Sequence, residues 1–157
     1  MQPQIGITAK NLANIAGALS KLLADEFLLY TKTRNAHWNV EGPDFHAMHL
    51  FFESQYEQLD DVMDEVAERI RMLGHYAPAT MKEYLQLTRL TEASRRKNDS
   101  QGFIKDLLAD HEAIITSTRE SIDSFSEKWK DEGTADFVTG LVQTHEKMAW
   151  MLRAHLK

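Results

Sequence analysis

The chain has no cysteine among its 157 residues, no excess of basic side chains and no apolar run long enough to cross a bilayer. Without Cys there is no thiolate, so a closed structural zinc site of the Cys type is excluded. Lys and Arg number 18 against 24 Asp and Glu, giving a formal charge of −6 and a sequence pI near 5.6. That balance argues against a surface built to neutralise phosphates. Only Lys10 precedes the body of the first helix, and the chain ends Arg153-Ala154-His155-Leu156-Lys157, so there is no basic tail and direct DNA binding is disfavoured. No transmembrane helix is expected, and Met1 to Ala9 lack the basic region and apolar core of a secretory signal, which makes the cytoplasm the default compartment. A chain of this length is predicted to form one domain, residues 1–157.

Pro and Gly are both absent from Phe45 to Leu73, and apolar residues recur there at Met48, Phe52, Leu59, Val62, Val66, Ile70 and Leu73. This is the helical period. Asp44 is placed to cap the start after Gly42-Pro43, and Gly74 follows the end. On one such helix His49 and Glu53 are four residues apart, as are Asp64 and Glu68. At about 100° per residue the four fall at roughly 0°, 40°, 60° and 100°, a single stripe. Glu53 and Asp64, however, are roughly 16 Å apart along the axis at ~1.5 Å per residue, too far for one ion to bridge.

One chain therefore carries two half-sites. If a second copy of the helix packs antiparallel about a two-fold axis, His49 and Glu53 of one chain face Asp64 and Glu68 of the other, twice over. A fifth donor, His37, comes from the end of the preceding helix, before the turn at Trp38 to Pro43. Two imidazoles and three carboxylates with positions left open suit iron, although zinc, manganese or cobalt fit the same donors. Acidic pairs at this spacing are usually a solvated helix face. Here, though, burying like charges at an interface without a counter-ion is costly, and a cation resolves that conflict.

Other metal patterns are missing. None of the seven histidines has Glu three residues before it, so the intrachain di-iron pattern of facing helices fails, and there is no His-Glu-x-x-His. His46, His75, His111, His145 and His155 have no partner at metal spacing and read as structural or exposed. Asp131, Glu132 and Asp136 form an acidic cluster between the last two helices, readable as a solvated turn whose acids complement a helix dipole.

The stretch Asn35-Ala36-His37-Trp38-Asn39-Val40, followed by Gly42, Phe45, His49, Asp64 and Ala67-Glu68-Arg69, resembles the signature of Dps proteins, the bacterial miniferritins. Chain length, helix order and the turn Asp131-Glu132-Gly133-Thr134-Ala135-Asp136 extend the likeness over nearly the whole chain. The resemblance implies an all-α, ferritin-like four-helix bundle that assembles into a hollow shell of twelve subunits. It implies iron chemistry too: Fe(II) oxidised by hydrogen peroxide in preference to dioxygen, and the ferric mineral stored. The ligands carried over are His37, His49 and Glu53 from one chain and Asp64 and Glu68 from its mate, with Trp38 the aromatic beside the centre. Glu53 stands where the family usually has Asp. Trp38 next to His37 is open to two readings, electron donor or ordinary packing at the dimer contact. The same resemblance places Asp131, Glu132 and Asp136 near a three-fold pore, where three copies would attract cations. A DNA-compacting protein with secondary iron chemistry is the alternative.

Along the chain the first helix is expected from about Thr8 to Trp38, with Ile15, Leu19, Leu22, Leu23, Phe27 and Tyr30 on its apolar face. Between Gly74 and Asn98 lies a connection long enough to cross the bundle, with Pro78 and a short helical pattern over Met81 to Leu87. A crossover of this kind marks the ferritin-like topology. The third long helix is predicted from Asp99 or Ser100 until Gly133 ends it, and the fourth from Thr134 through Val138, Leu141, His145, Met148 and Leu152.

Overall fold

A computed structural model describes residues 3–92 and 97–156; Met1, at one end of the sequence, and Lys157, in the C-terminal tail, lie outside that range. Helices α1 (Ala9–Asn39), α2 (Phe45–Met72), α4 (Ser100–Asp123) and α5 (Glu132–Ala154) form the bundle, and the short α3 (Met81–Leu87) sits in the crossover. The described residues contain no strand beyond one isolated bridge between Glu41 and Asp99. Among the described residues the fold is therefore all-α, four long helices with a short one in the crossover, as the sequence predicts.

Local chemistry sets the ends of the helices. Thr8 caps α1 by accepting from the Asn11 N–H at 3.2 Å. At the end of α2, Gly74 takes φ 81°, His75 N–H donates to the Ile70 carbonyl and Gly74 N–H to that of Arg71. That pair of bonds is the Schellman stop that glycine permits. Thr80 and Glu83 form a reciprocal capping box at α3. Asp44 occupies the cap position of α2 but makes no side-chain cap bond there; it accepts instead from Ser100 Oγ at 2.6 Å, tying the start of α2 to the start of α4. The crossover is fixed on α1 by Asp25, which is buried and accepts from Thr88 Oγ1, Arg89 N and Arg89 Nε at 2.6 to 2.8 Å.

Apolar faces meet as their periodicity requires. Met48, Phe52, Leu59, Val62, Val66, Ile70 and Leu73 are all buried, together with Ile15, Leu19, Leu22 and Leu23 of α1 and Val138, Leu141, Met148 and Leu152 of α5. The junction of the last two long helices departs from expectation. α4 ends at Asp123, a π-helical turn runs Ser124–Lys128, and α5 begins at Glu132, so Gly133 is inside a helix and not a stop. The residue that turns the chain is Lys130, at φ 60°. Gly133 is small for another reason: a Cβ there would lie 3.0 Å from Arg69 Nη2. Arg69 reaches from α2 to donate to Thr134 Oγ1 at 3.0 Å and to pair with buried Asp131 at 3.2 Å. Asp131 is also the cap of α5, accepting from Thr134 N–H.

His111 and His145, read from sequence as structural or exposed, are both buried. Their Nδ1 atoms are 2.9 Å apart, and His145 Nε2 is 2.9 Å from Glu26 Oε1. With Glu26 accepting from His145 Nε2–H, His145 Nδ1 is left to accept from His111 Nδ1–H. One polar chain thus links α4, α5 and α1 through the core.

Two predictions follow from this packing. Burial, with His145 alongside, holds His111 well below its ordinary value of 6.5, so the unfolded chain takes up a proton that the fold refuses. The stability this neutral imidazole contributes is complete above about pH 6.5 and declines on acidification, by at most about 1.4 kcal/mol per pH unit, until the folded group itself titrates. Denaturant midpoints measured between pH 7 and 5 should fall more steeply for wild type than for His111→Gln. Asp131→Ala, which removes both a helix cap and the partner of Arg69, should cost about 2 kcal/mol, whereas the exposed Glu132→Gln stays within about 0.5 kcal/mol, by thermal unfolding.

Candidate metal centre

His37 ends α1 and His49 lies in the second turn of α2, so the Val40–Asp44 turn brings the two rings together. They stack with centroids 3.8 Å apart and 22° between planes. Each ring bonds the other residue's backbone: His37 Nδ1 lies 2.8 Å from the His49 carbonyl, and His49 Nδ1 lies 2.8 Å from the His37 carbonyl. A carbonyl oxygen only accepts, so both Nδ1 atoms carry hydrogen. In the neutral rings both Nε2 atoms then hold a bare lone pair, the state in which imidazole binds a metal.

Glu53 follows His49 by one turn of α2, and Tyr56 Oη donates to its Oε1 at 3.2 Å. The Tyr56 ring meets His37 edge-on, with centroids 5.2 Å apart. Loss of solvent around it, then the Glu53 bond and charge, raise the Tyr56 hydroxyl above its ordinary value and keep it a donor. Arg34 lies over Tyr56 at 4.3 Å and over Trp38 at 4.8 Å, while Trp38 itself is 63 % exposed. Sequence reading missed Tyr56 and Arg34. Helical spacing held the signal: Tyr56 is three residues past Glu53 and seven past His49, and Arg34 is three before His37.

The structure thus brings His37, His49 and Glu53 to one end of the α1–α2 pair. Asp64 and Glu68 are exposed farther along the same unbroken α2, eleven residues beyond Glu53 in the case of Asp64, which is roughly 16 Å of helix. Asp64 shares a cleft of about 360 Å³ with Asp60, Asp61, Phe27 and Tyr84. Among the described residues no three His, Asp or Glu side chains of one chain gather to hold a metal. At the α4–α5 junction, Asp131 is buried and engaged by Arg69, while Glu132 and Asp136 face solvent.

Chemically, two imidazoles with a carboxylate one helical turn away offer nitrogen and oxygen donors that could hold a metal only as part of a larger set. Comparison with known proteins agrees in fold. A family model, the ferritin-like domain, matches residues 16–157. The chain is 39 % identical over 98 % of its length to a low temperature-induced protein of Nostoc sp., covering 86 % of that relative. It is 37 % identical to DNA protection during starvation protein 2 of Bacillus anthracis, covering 88 % of this chain and 93 % of that one. The crystal structure of a Dps protein from Vibrio cholerae O1, described as a member of a superfamily of ferritin-like diiron-carboxylate proteins, superposes with a TM-score of 0.92 at 29 % identity, over 99 % of this chain and 97 % of the other.

Proposed function

We propose, from the premise that this chain belongs to the Dps family of ferritin-like proteins, that it oxidises Fe(II) at centres shared between two subunits and stores the ferric product in a closed shell of twelve. Each centre takes His37, His49 and Glu53 from one subunit and Asp64 and Glu68 from its mate, and a dimer holds two. The observation that carries the reading is the reciprocal bonding of His37 and His49, which in the neutral rings leaves both Nε2 atoms for a metal. The whole chain acts as one domain, in the cytoplasm, with no membrane partner.

The residues divide the work. The histidines bind Fe(II) as neutral donors whose orientation is already fixed, so little ordering remains when the ion arrives. Glu53, Asp64 and Glu68 favour the harder ferric product. Substrate pairing matters because two Fe(II) ions each release one electron to a single hydrogen peroxide; its O–O bond breaks to two hydroxides, and no hydroxyl radical is released. Dioxygen is the slower oxidant in this scheme. Trp38, exposed beside His37, supplies an electron where only one iron is bound, or packs against the mate. Cation attraction at a three-fold pore rests on Glu132 and Asp136, with Asp131 shaping the turn from beneath. The name of the Bacillus anthracis relative, which speaks of DNA protection, favours a second reading, DNA binding and compaction, against which stands a net charge of −6.

Fe(II) oxidation by air and by peroxide, followed by ultraviolet absorbance, tests the proposal. His49→Ala combined with Glu68→Ala should slow it by at least about 10-fold. Equal rates in the variant and the wild type would remove the centre from these residues.

A further inference from the structure

Glu53 is the least constrained of the candidate donors by its own covalent structure. Its carboxylate swings on three torsions, and fixing so flexible a side chain costs rotamer entropy that a contact must offset. One contact does the fixing here. Tyr56, one turn further along α2, donates its hydroxyl to Glu53 Oε1 at 3.2 Å. That hydroxyl is itself aimed by packing from α1. The Tyr56 ring lies under the Arg34 guanidinium at 4.3 Å, edge-on to Tyr30 at 6.1 Å and edge-on to His37 at 5.2 Å. Arg34 is in turn placed between Tyr56, Trp38 and Tyr30. Tyr56 is thus in contact with both His37 and Glu53, and its own position is set by groups from the helix that carries His37.

We infer that Tyr56 is a positioning residue for the shared centre, holding Glu53 by Oε1 and leaving Oε2 for a cation that His37 and His49 would also bind. The inference rests on the centre proposed above. It depends on the length of the side chain at position 53. Asp would draw the carboxylate back by about 1.5 Å, one carbon–carbon bond, and out of hydrogen-bonding reach of a hydroxyl now at 3.2 Å. The pair Glu53 and Tyr56 therefore works as a unit, and the tyrosine hydroxyl has this role only while Glu53 is present. Removing the hydroxyl alone leaves the ring and its packing in place, so Tyr56→Phe keeps the fold.

The test is anaerobic titration with Co(II), read by its visible absorption, on wild type, Tyr56→Phe, Glu53→Asp, the Glu53→Asp plus Tyr56→Phe double variant, and His49→Ala plus Glu68→Ala as reference. Tyr56→Phe should weaken Co(II) binding about 10-fold and change the band intensities, the size of effect expected when a ligand loses its supporting hydrogen bond. In the Glu53→Asp background the same change should alter affinity by less than 2-fold. Wild-type affinity and spectrum in Tyr56→Phe, or an equal loss in both backgrounds, would overturn the positioning role. Undiminished Co(II) binding in the His49→Ala plus Glu68→Ala reference would instead bring down the centre itself, and the Tyr56 inference with it.

Discussion

The reciprocal bond between His37 and His49 is the constraint on which the rest of the site depends. Each Nδ1–H is spent on the other residue's carbonyl at 2.8 Å, which closes the α1–α2 turn and fixes two imidazole tautomers in one step. The carbonyls involved lie near the end of α1 and in the second turn of α2, so local folding also orients the two candidate ligands. Around the pair stand Glu53, Tyr56, Arg34 and Trp38, joined by a hydrogen bond and ring contacts and not by sequence proximity alone.

A second constraint is that α2 runs unbroken from Phe45 to Met72. A straight helix cannot fold its far carboxylates back onto its own histidines, so in the proposed centre Asp64 and Glu68 serve another molecule. The bundle ties that far end to α5. Arg69, the residue after Glu68, is held by Thr134 and Asp131 on α5, and the Schellman stop at Gly74 finishes the helix one turn later. Rigid half-sites lower the ordering needed when two copies meet around an ion. The proposed chemistry thus needs an oligomer for a geometric reason, and the ferritin-like fold supplies helices long enough to keep the two halves apart.

Much of this was legible in the sequence because it depends on spacing within one helix. The limits of α2, the short α3 and the buried faces of α2 and α5 lie where periodicity and turn residues put them, and on α1 Ile15, Leu19, Leu22 and Leu23 are buried while Phe27 and Tyr30 are only half-buried. What escaped depends on contacts between helices. Gly133 reads as a stop, yet it lies inside α5, where a Cβ would crowd the Arg69 guanidinium 64 residues earlier at 3.0 Å, while the chain turns at Lys130, a residue type that carries no turn signal. His111 and His145 are 34 residues apart on two helices, and their buried link to Glu26 has no signature in spacing. Asp44 sits at a cap position but is drawn away by Ser100. Tyr56 was within reach of sequence reading, at helical distance from two ligands, but a tyrosine on a helix carries no metal-binding pattern.

The central claim, that neighbouring subunits complete each other's metal centre, is tested most directly by subunit mixing. One chain carries His37→Ala and His49→Ala; the other carries Asp64→Ala and Glu68→Ala. Each alone should fail to oxidise Fe(II). Co-assembled from dissociated subunits, mixed dimers regain one intact centre of the two, so random mixing should restore about a quarter of the wild-type sites. A mixture as inactive as its two components, despite demonstrated co-assembly, would contradict the account.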